Sequence, residues 1–265
     1  MGRFILGVLF VPILAFARIH YAKLEPVETY SVKSAVSGKV LFADDSKEGQ
    51  VGGSDPVVKI DDAVDREQRR ALRVALDALK ETLALTEDMI ENQKGVYERD
   101  RDYYERIKGL KTKSKTEKDR VFAAMSASKN QLLSLKEKRA TLRRQIAETE
   151  YQIAQLDDRI EKKSISAKGL YIYKVAVRAD DYVNPGVLLL TAMDTGKGRL
   201  TLYLDADEAE NLDSKTIYLD GKPTDLKFSK VLKVADPVHI SSYRAEIVVD
   251  RPEGLFSKLV KVEIK

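Results

Sequence analysis

The chain has 265 residues, of which 43% are hydrophobic and 33% are charged, and its formal net charge is only +4. A charge excess this small and dispersed argues against a nucleic-acid-binding protein. The absence of cysteine excludes disulfides, thiol nucleophiles and thiolate metal sites, and the two histidines, His20 and His239, lie too far apart to suggest a structural metal site.

The N-terminus combines a basic residue with a short apolar run. Arg3 precedes an uncharged segment over residues 4–17, which ends in Ala-Phe-Ala before Arg18. As a helix this run spans about 21 Å, less than the ~30 Å hydrocarbon core, although Ile19, Tyr21 and Ala22 would extend it if Arg18 snorkels. Residues 1–24 therefore fit either a membrane anchor or a signal peptide cleaved near Ala17, followed by a linker over residues 23–28.

Residues 25–61 have the pattern of a small β unit. A turn at Gly38 leads into a short alternating strand over 39–43, and a second turn at Gly53-Ser54 precedes a strand over 57–60. A unit of two short strands is not stable alone. This first half-module therefore needs a partner elsewhere in the chain.

Residues 62–163 carry an apolar stripe that runs out, turns and returns. Its spacing alternates between four and three residues, which is the heptad seam of a left-handed coiled coil and predicts an antiparallel helical hairpin. The outbound seam is Leu72, Leu76, Leu79, Leu83, Thr86, Ile90, Gln93, Tyr97, Asp100, Tyr104 and Ile107, and the return seam is Val121, Met125, Ser128, Leu132, Leu135, Arg139, Leu142, Ile146, Thr149, Ile153, Leu156 and Ile160.

Residues 164–194 repeat the pattern of the first half-module. A turn at Gly169 precedes a strand over 170–177, and Pro185-Gly186 precedes a strand over 187–191. Two such half-modules can bury a shared face, and the hairpin between them returns the chain beside its own start. We therefore expect them to pair.

Residues 195–265 predict a small β-barrel. Strands are expected over 199–204, 216–219, 225–235, 243–249 and 259–264, with a turn at Asp220-Gly221. A short helix is expected over 205–212 because acidic residues fill its first turn.

The order half-module, long hairpin, half-module resembles the periplasmic adaptor proteins, also called membrane fusion proteins of the hemolysin-secretion (HlyD-like) type. The matching segments are Ser37–Val40, Gly49–Val51, Asp55–Asp61, Ala167–Gly169 and Tyr182–Gly186, whereas Ser54 departs from the family's usual glycine. The resemblance implies an α+β fold. In it the coiled-coil hairpin is inserted in a lipoyl-like β-sandwich, and a small β-barrel follows.

A biotin or lipoyl carrier domain is the other interpretation of the half-modules. Carriers present a lysine at a tight hairpin, and the nearest match, Ala192-Met193-Asp194, has aspartate where the acylated lysine should stand. Paired catalytic carboxylates, a nucleophile–base pair and a phosphate-binding loop are also not visible. The sequence therefore predicts a protein that is not an enzyme and uses no cofactor.

The resemblance also implies a partner-binding site at the hairpin tip. Family members that bind an outer-membrane channel carry Arg, then Leu four residues later, then Ser seven residues beyond. Arg106 and Leu110 match the first two positions, whereas the third falls on Glu117, with hydroxyls at Ser114 and Thr116 nearby. The predicted site is thus Arg106, Leu110, Ser114 and Thr116, and we interpret the tip lysines as solvated.

The family resemblance further implies location and partners. It implies a periplasmic protein anchored to the inner membrane, which links a transporter to an outer-membrane channel of the TolC type for efflux or type I secretion. A ring is implied, typically a hexamer. The pattern ends without the extra membrane-proximal domain of many resistance-nodulation adaptors, which favours ABC or major-facilitator transporters and leaves the resistance-nodulation type open. A membrane-tethered coiled-coil scaffold without a conduit is the alternative.

Overall fold

The computed structural model describes residues 18–236, 238–252 and 256–265. In chain order its elements are β1 (Ile19–Lys33), β2 (Gly38–Ala43), β3 (Val58–Ile60), α1 (Ala63–Ile107), α2 (Lys115–Lys162), β4 (Ser164–Ile165), β5 (Tyr171–Val175), β6 (Tyr182–Val183), β7 (Leu188–Leu204), β8 (Ile217–Leu219), β9 (Lys222–Thr224), β10 (Phe228–Val231), β11 (Tyr243–Asp250) and β12 (Leu259–Ile264). The apolar run over 4–17 lies outside the described residues. Among the helices that are described, none is both long and apolar enough to cross a membrane.

The two helices form the antiparallel hairpin that the heptad pattern predicts. Every position of the predicted seam is buried or partly buried, so the predicted pairing face is confirmed. At a rise of 1.5 Å per residue, the 45 residues of α1 and the 48 of α2 each span about 70 Å. The hairpin is therefore a long projection that stands on the β units at its base.

Polar residues interrupt the seam in the middle of the hairpin. The Gln93 side chain crosses between the helices, where Nε2 donates to the Ser128 carbonyl oxygen over 3.0 Å. The Thr86 hydroxyl donates to the Thr82 carbonyl oxygen one turn earlier. These bonds satisfy donors that a coiled-coil seam would otherwise bury unpaired, and such polar positions fix the register of two helices.

The two half-modules pair with each other. Gly38 and Lys39 of β2 lie opposite Val183 and Tyr182 of β6, and β3 pairs with β4 at the foot of α2. Their shared core is Val40, Val57, Val58 and Ile60 from the first half, and Ala167, Ile172, Val175, Val177, Val183, Leu189, Leu190 and Ala192 from the second. The expectation that the halves bury a common face is confirmed.

Gly52 shows how closely the two halves approach. A Cβ on this glycine would lie 2.3 Å from the Ala167 carbonyl oxygen, so any side chain would force the halves apart. The Gly52 amide instead donates to the Leu170 carbonyl oxygen over 2.8 Å.

Two long strands join the half-modules to a second β core. β1 and β7 pair antiparallel from Leu24–Leu200 to Lys33–Leu188, with an irregularity where Pro26 and Glu28 face Gly198 and Asp194. The linker expected over residues 23–28 is therefore wrong, because these residues belong to β1. Likewise, the predicted boundaries at 24/25 and 194/195 fall inside continuous strands.

The second core lies at the C-terminal end of the chain. The larger sheet has the order β10-β11-β7-β1-β12-β8-β9, with β5 added on β7. The core residues are Ala22, Leu24, Leu200, Leu202, Leu204, Leu212, Ile217, Ala245, Ile247, Val260 and Val262. Asp220 and Gly221 have φ of 48° and 82°, which matches the expected tight turn between β8 and β9.

Two local expectations in this region are wrong. Residues 205–212 form turns, and only Leu212–Ser214 makes a short 3₁₀ helix, because Asn211 adopts the left-handed conformation and interrupts any α-helix. The strand expected over 225–235 is limited to β10. One acidic residue of this turn contacts β1, because Glu208 Oε1 lies 3.0 Å from His20 Nε2. His239 stacks on the ring of Tyr203 with centroids 3.6 Å apart.

Candidate partner-binding site at the hairpin tip

The tip is a short turn closed by a helix cap. α1 ends at Ile107 and α2 begins at Lys115, with Ser114 as its N-cap. The Ser114 hydroxyl accepts a hydrogen bond from the Glu117 amide over 3.1 Å. The Glu117 carboxylate also forms an ion pair with the Lys113 ammonium over 2.7 Å. Its negative charge interacts favourably with the positive end of the α2 helix dipole. The start of α2 is therefore fixed locally.

A small apolar cluster holds the two helices together just below the turn. Ile107 near the end of α1 and Val121 near the start of α2 are both buried. The rings of Tyr104 and Phe122 meet at a centroid distance of 5.4 Å in a tilted arrangement, which is a favourable geometry for aromatic side chains. The turn therefore stands on a packed platform.

Arg106 and Leu110 point outward from this platform. Leu110 is 45% exposed, and its amide donates to the Ile107 carbonyl oxygen, which ties the turn to the end of α1. The Arg106 guanidinium carbon lies 5.9 Å from the centroid of the Tyr103 ring. Within the described part of the chain Arg106 forms no ion pair. An exposed leucine beside an uncompensated guanidinium is a suitable surface for binding a groove lined with acceptors.

All four predicted site residues lie at the same end of the molecule. Arg106 is in the last turn of α1, Leu110 is in the connecting turn, and Thr116 is exposed in the first turn of α2. Ser114 has a structural role that the sequence analysis did not assign, because its hydroxyl caps the helix. The Ser-x-x-Glu pattern of residues 114–117 is the signal that could have revealed this cap. Partner binding by the four residues stays a prediction.

The lysines of the tip are exposed or half-exposed. Lys108 pairs with Glu105, and Lys113 pairs with Glu117; in each case the hydrogen bond to the glutamate raises the pKa of the lysine. Each cation is compensated by a glutamate three or four residues away in the sequence. They therefore serve solubility and local helix stability.

A cluster of charged residues anchors the opposite end of the hairpin. Asp65, near the start of α1, lies 2.6 Å from the ammonium of Lys163, at the end of α2, and both side chains are largely buried. Burial alone would raise the pKa of Asp62, but hydrogen bonds from Lys59 and Arg66 outweigh burial and hold the pKa below its usual value. The sequence analysis missed this anchor, since Asp65 and Lys163 lie at opposite ends of the hairpin sequence and share no local motif.

Of the comparisons with known proteins, the one with solved structures identifies the fold. No family model matches the sequence, and a search of curated proteins finds no match. Among solved structures, MacA from Actinobacillus actinomycetemcomitans is similar with a TM-score of 0.65 and 16% identity, over 94% of this chain and 78% of MacA.

Two further structures show the same likeness. A MacA-MexA chimera that contains the Pseudomonas aeruginosa MexA α-hairpin domain has a TM-score of 0.57 and 16% identity, over 94% of this chain and 81% of the chimera. The membrane fusion protein Spr0693 from Streptococcus pneumoniae R6 has a TM-score of 0.53 and 12% identity, over 94% and 98% of the two chains. With its helical hairpin standing between paired half-modules and its second antiparallel β core, the chain has the fold of the membrane fusion proteins.

Proposed function

We propose that this protein is the periplasmic adaptor subunit of a tripartite efflux or type I secretion system. In this role it links an inner-membrane transporter to an outer-membrane channel. The observation that carries the proposal is the hairpin of about 70 Å, which stands on the paired half-modules and presents Arg106 and Leu110 at its far end. A hairpin of this length is longer than a packed core requires. Its most direct role is therefore to contact a partner far from the β units.

The two β units at the base would bind the transporter side. In this proposal the paired half-modules are a lipoyl-like domain and the C-terminal core is a β-barrel. Several copies would form a ring, typically a hexamer, around a conduit. The N-terminal segment would hold the protein at the inner membrane, or direct export before its cleavage near Ala17.

The protein would work by geometry and binding, without catalysis. Asp194, at the position of a carrier's acylated lysine, lies in the middle of β7, and its carboxylate accepts from the Gly196 amide over 2.9 Å. A carrier needs a nucleophilic amine at an exposed tight turn, so this arrangement supports an adaptor over an acyl carrier. Energy for transport would come from the transporter.

Site-specific photo-crosslinking in cells tests the proposal. A crosslinker at position 106 or 110 is expected to capture an outer-membrane channel of the TolC type. Tyr151, which is 65% exposed but far from the tip on α2, is the control position and should not capture the channel. Failure at both tip positions, combined with normal export in a deletion strain, would favour a membrane-tethered scaffold without a conduit.

A further inference from the structure

A cleft of about 800 Å³ lies where the two β cores meet. The half-module side contributes Tyr171 and Tyr173 from β5 and Met193 from β7. The C-terminal side contributes Arg199 from β7 and Phe256, which precedes β12. We call the cleft that these five residues line the junction cleft. Its volume is within the range of about 300–1,000 Å³ that is usual for small-molecule sites.

Aromatic and apolar side chains form one side of the junction cleft. Tyr171 and Tyr173 flank the fully buried Ile172 on β5, so both rings are on the side of the strand that faces away from the core. Met193 lies opposite Tyr171 in the ladder between β5 and β7, and the Phe256 ring is partly buried at the other end of the cleft. These side chains can cover aromatic rings or an alkyl chain.

Arg199 is a cation of the junction cleft that lacks a compensating charge. Its Nε is buried, and no described residue forms a hydrogen bond with this atom. Glu25 lies directly opposite Arg199 in the ladder between β1 and β7, but its carboxylate is 3.4 Å from the ammonium of Lys23 on its own strand. In the part of the chain that the structure describes, no ion pair forms at Arg199. A partly buried guanidinium in this state favours an anion as its partner.

The other polar groups of the junction cleft also favour an anion. Its described lining includes three charged residues, Lys23, Glu25 and Arg199, and the first two compensate each other. The lining therefore has one excess positive charge, at Arg199. The hydroxyls of Thr195 and Ser257 lie in the same lining and can donate to an oxyanion. A guanidinium presents its donors in a planar fork, which suits a carboxylate, sulfonate or phosphate.

We propose that the junction cleft binds an amphipathic anion, a molecule with an aromatic or alkyl body and a carboxylate, sulfonate or phosphate group. The body packs on Tyr171 and Tyr173, and the anionic group binds the Arg199 guanidinium. Because the walls come from both β cores, the bound molecule contacts both of them. The site goes beyond the proposed function, since binding requires neither a transporter nor a channel.

Isothermal titration calorimetry on the full-length protein in lipid nanodiscs tests this site, with a titration into empty nanodiscs subtracted. The probe is anilinonaphthalene sulfonate, which combines aromatic rings with a fixed negative charge. The neutral comparison is phenylnaphthylamine, which has the same rings without the sulfonate. We expect the unmodified protein to bind the sulfonate at one saturable site. Absence of saturable binding would overturn the proposal.

Substitutions of Arg199 separate recognition of the anion from general adsorption. R199Q should weaken binding of the sulfonate about tenfold or more, because hydrogen bonds to a charged group are lost, and should leave binding of the neutral probe unchanged. R199K keeps the charge and should retain more affinity for the sulfonate than R199Q. The control K230Q removes an exposed cation from β10, in the same sheet but outside the cleft, and should bind both probes like the unmodified protein.

A substitution of Tyr173 tests the apolar wall. Y173A should weaken binding of both probes, and because Tyr173 is 59% exposed it should leave the thermal denaturation midpoint unchanged. Equal affinity of R199Q and K230Q for the sulfonate would overturn the proposal, and so would unchanged affinity of Y173A for both probes. The readout is binding to the purified chain, so it is independent of whether position 106 or 110 captures a channel.

Discussion

Ser114 fixes the point at which α2 begins. Its hydroxyl accepts from the Glu117 amide, one of the four N–H groups that a helix start leaves without a partner. Replacing an N-cap serine with alanine typically costs about 1 kcal/mol. We therefore expect S114A to destabilise the tip by about this amount and to speed amide hydrogen exchange in the first turn of α2.

Two further variants separate the cap from a contact with a partner. S114D keeps a capping oxygen and should restore slow exchange, whereas T116A changes an exposed side chain and should leave exchange near that of the unmodified protein. If S114A and T116A behave alike in hydrogen exchange, the cap contributes nothing measurable. If S114D restores slow exchange but not channel capture, position 114 matters to the partner beyond its role as a helix cap.

We expect Glu263 to make the C-terminal core sensitive to acid. Its carboxylate accepts ion pairs from Lys261 over 2.8 Å and Lys265 over 2.7 Å. Hydrogen bonds from Lys261, which has the larger effect, and from Lys265 lower the pKa of Glu263 from 4.5 to about 2. A carboxyl whose pKa is lower in the folded state contributes stability above its unfolded pKa, and that contribution is lost as the pH falls.

The expected result is a pH-dependent difference between the unmodified protein and E263Q. Above pH 4.5 the variant should have a lower denaturation midpoint, and the gap should narrow as the pH falls from about 4.5 towards 2. Urea denaturation at pH 6, 4 and 3 measures this difference in the denaturation midpoint. A gap that stays constant across this range would show that the two ion pairs contribute no pH-dependent stability.

Among the helices, α2 contributes the more completely buried half of the seam. Leu135 is 7% exposed and Leu133, two residues away, is 52% exposed. Truncating a buried leucine to alanine usually costs 2–5 kcal/mol, whereas an exposed substitution usually changes stability by less than about 0.5 kcal/mol. L135A should therefore destabilise the hairpin by about 2 kcal/mol or more, and L133A should not.

Thermal unfolding followed by circular dichroism at 222 nm measures this difference, because the hairpin holds most of the helix. Leu133 and Leu135 have equal helix propensity, so the comparison isolates burial. Equal loss in both variants would mean that α2 packs on more than one face within a single chain. The measurement is made at low protein concentration, where contacts between copies are lost.

The helical elements could be predicted because their signal is local and repeated. The seam residues of both helices follow a four-three repeat, so a single polar residue in the seam does not hide the helical pattern. The strands carry weaker signals. β1 runs through Pro26 and several charged residues, so its sequence resembles a linker, and it becomes a strand only because β7 and β12 pair with it. Tertiary pairing overrides local preference there.

The contacts that close the hairpin were beyond sequence reasoning for a different reason. Asp65 and Lys163 meet only because the two helices return to the same base, and neither residue sits in a recognisable pattern. The tip residues Arg106 and Leu110 were identified by family resemblance, whereas the Ser114 cap has a local signal. The turn at 205–212 was misjudged because acidic residues suit a helix start, but Asn211 in the left-handed conformation interrupts the helix.

At the scale of the whole molecule, the two β cores share their longest strands. Leu189, Leu190 and Ala192 of β7 are buried in the core of the half-modules, and Leu200, Leu202 and Leu204 of the same strand are buried in the C-terminal core. β1 pairs with β7 along both parts. Because β7 contributes buried residues to both cores, unfolding of one core would free the part of β7 next to the other core and weaken its packing. We therefore expect the two cores to unfold as one cooperative unit.

Amide hydrogen exchange on L200A tests this coupling. Leu200 is fully buried in the C-terminal core, so its truncation should cost about 2–5 kcal/mol, and Leu259, which is 62% exposed in the same sheet, provides the matched control L259A. If the cores are coupled, exchange should accelerate in β12 and equally in β3 and β5, which lie in the other core, because their slowest amides exchange only on global unfolding. Acceleration confined to β8, β11 and β12 would show instead that the irregularity at Pro26 and Gly198 separates two independent folding units. A coupled result would mean that the shared strands β1 and β7 make the two β cores one folding unit.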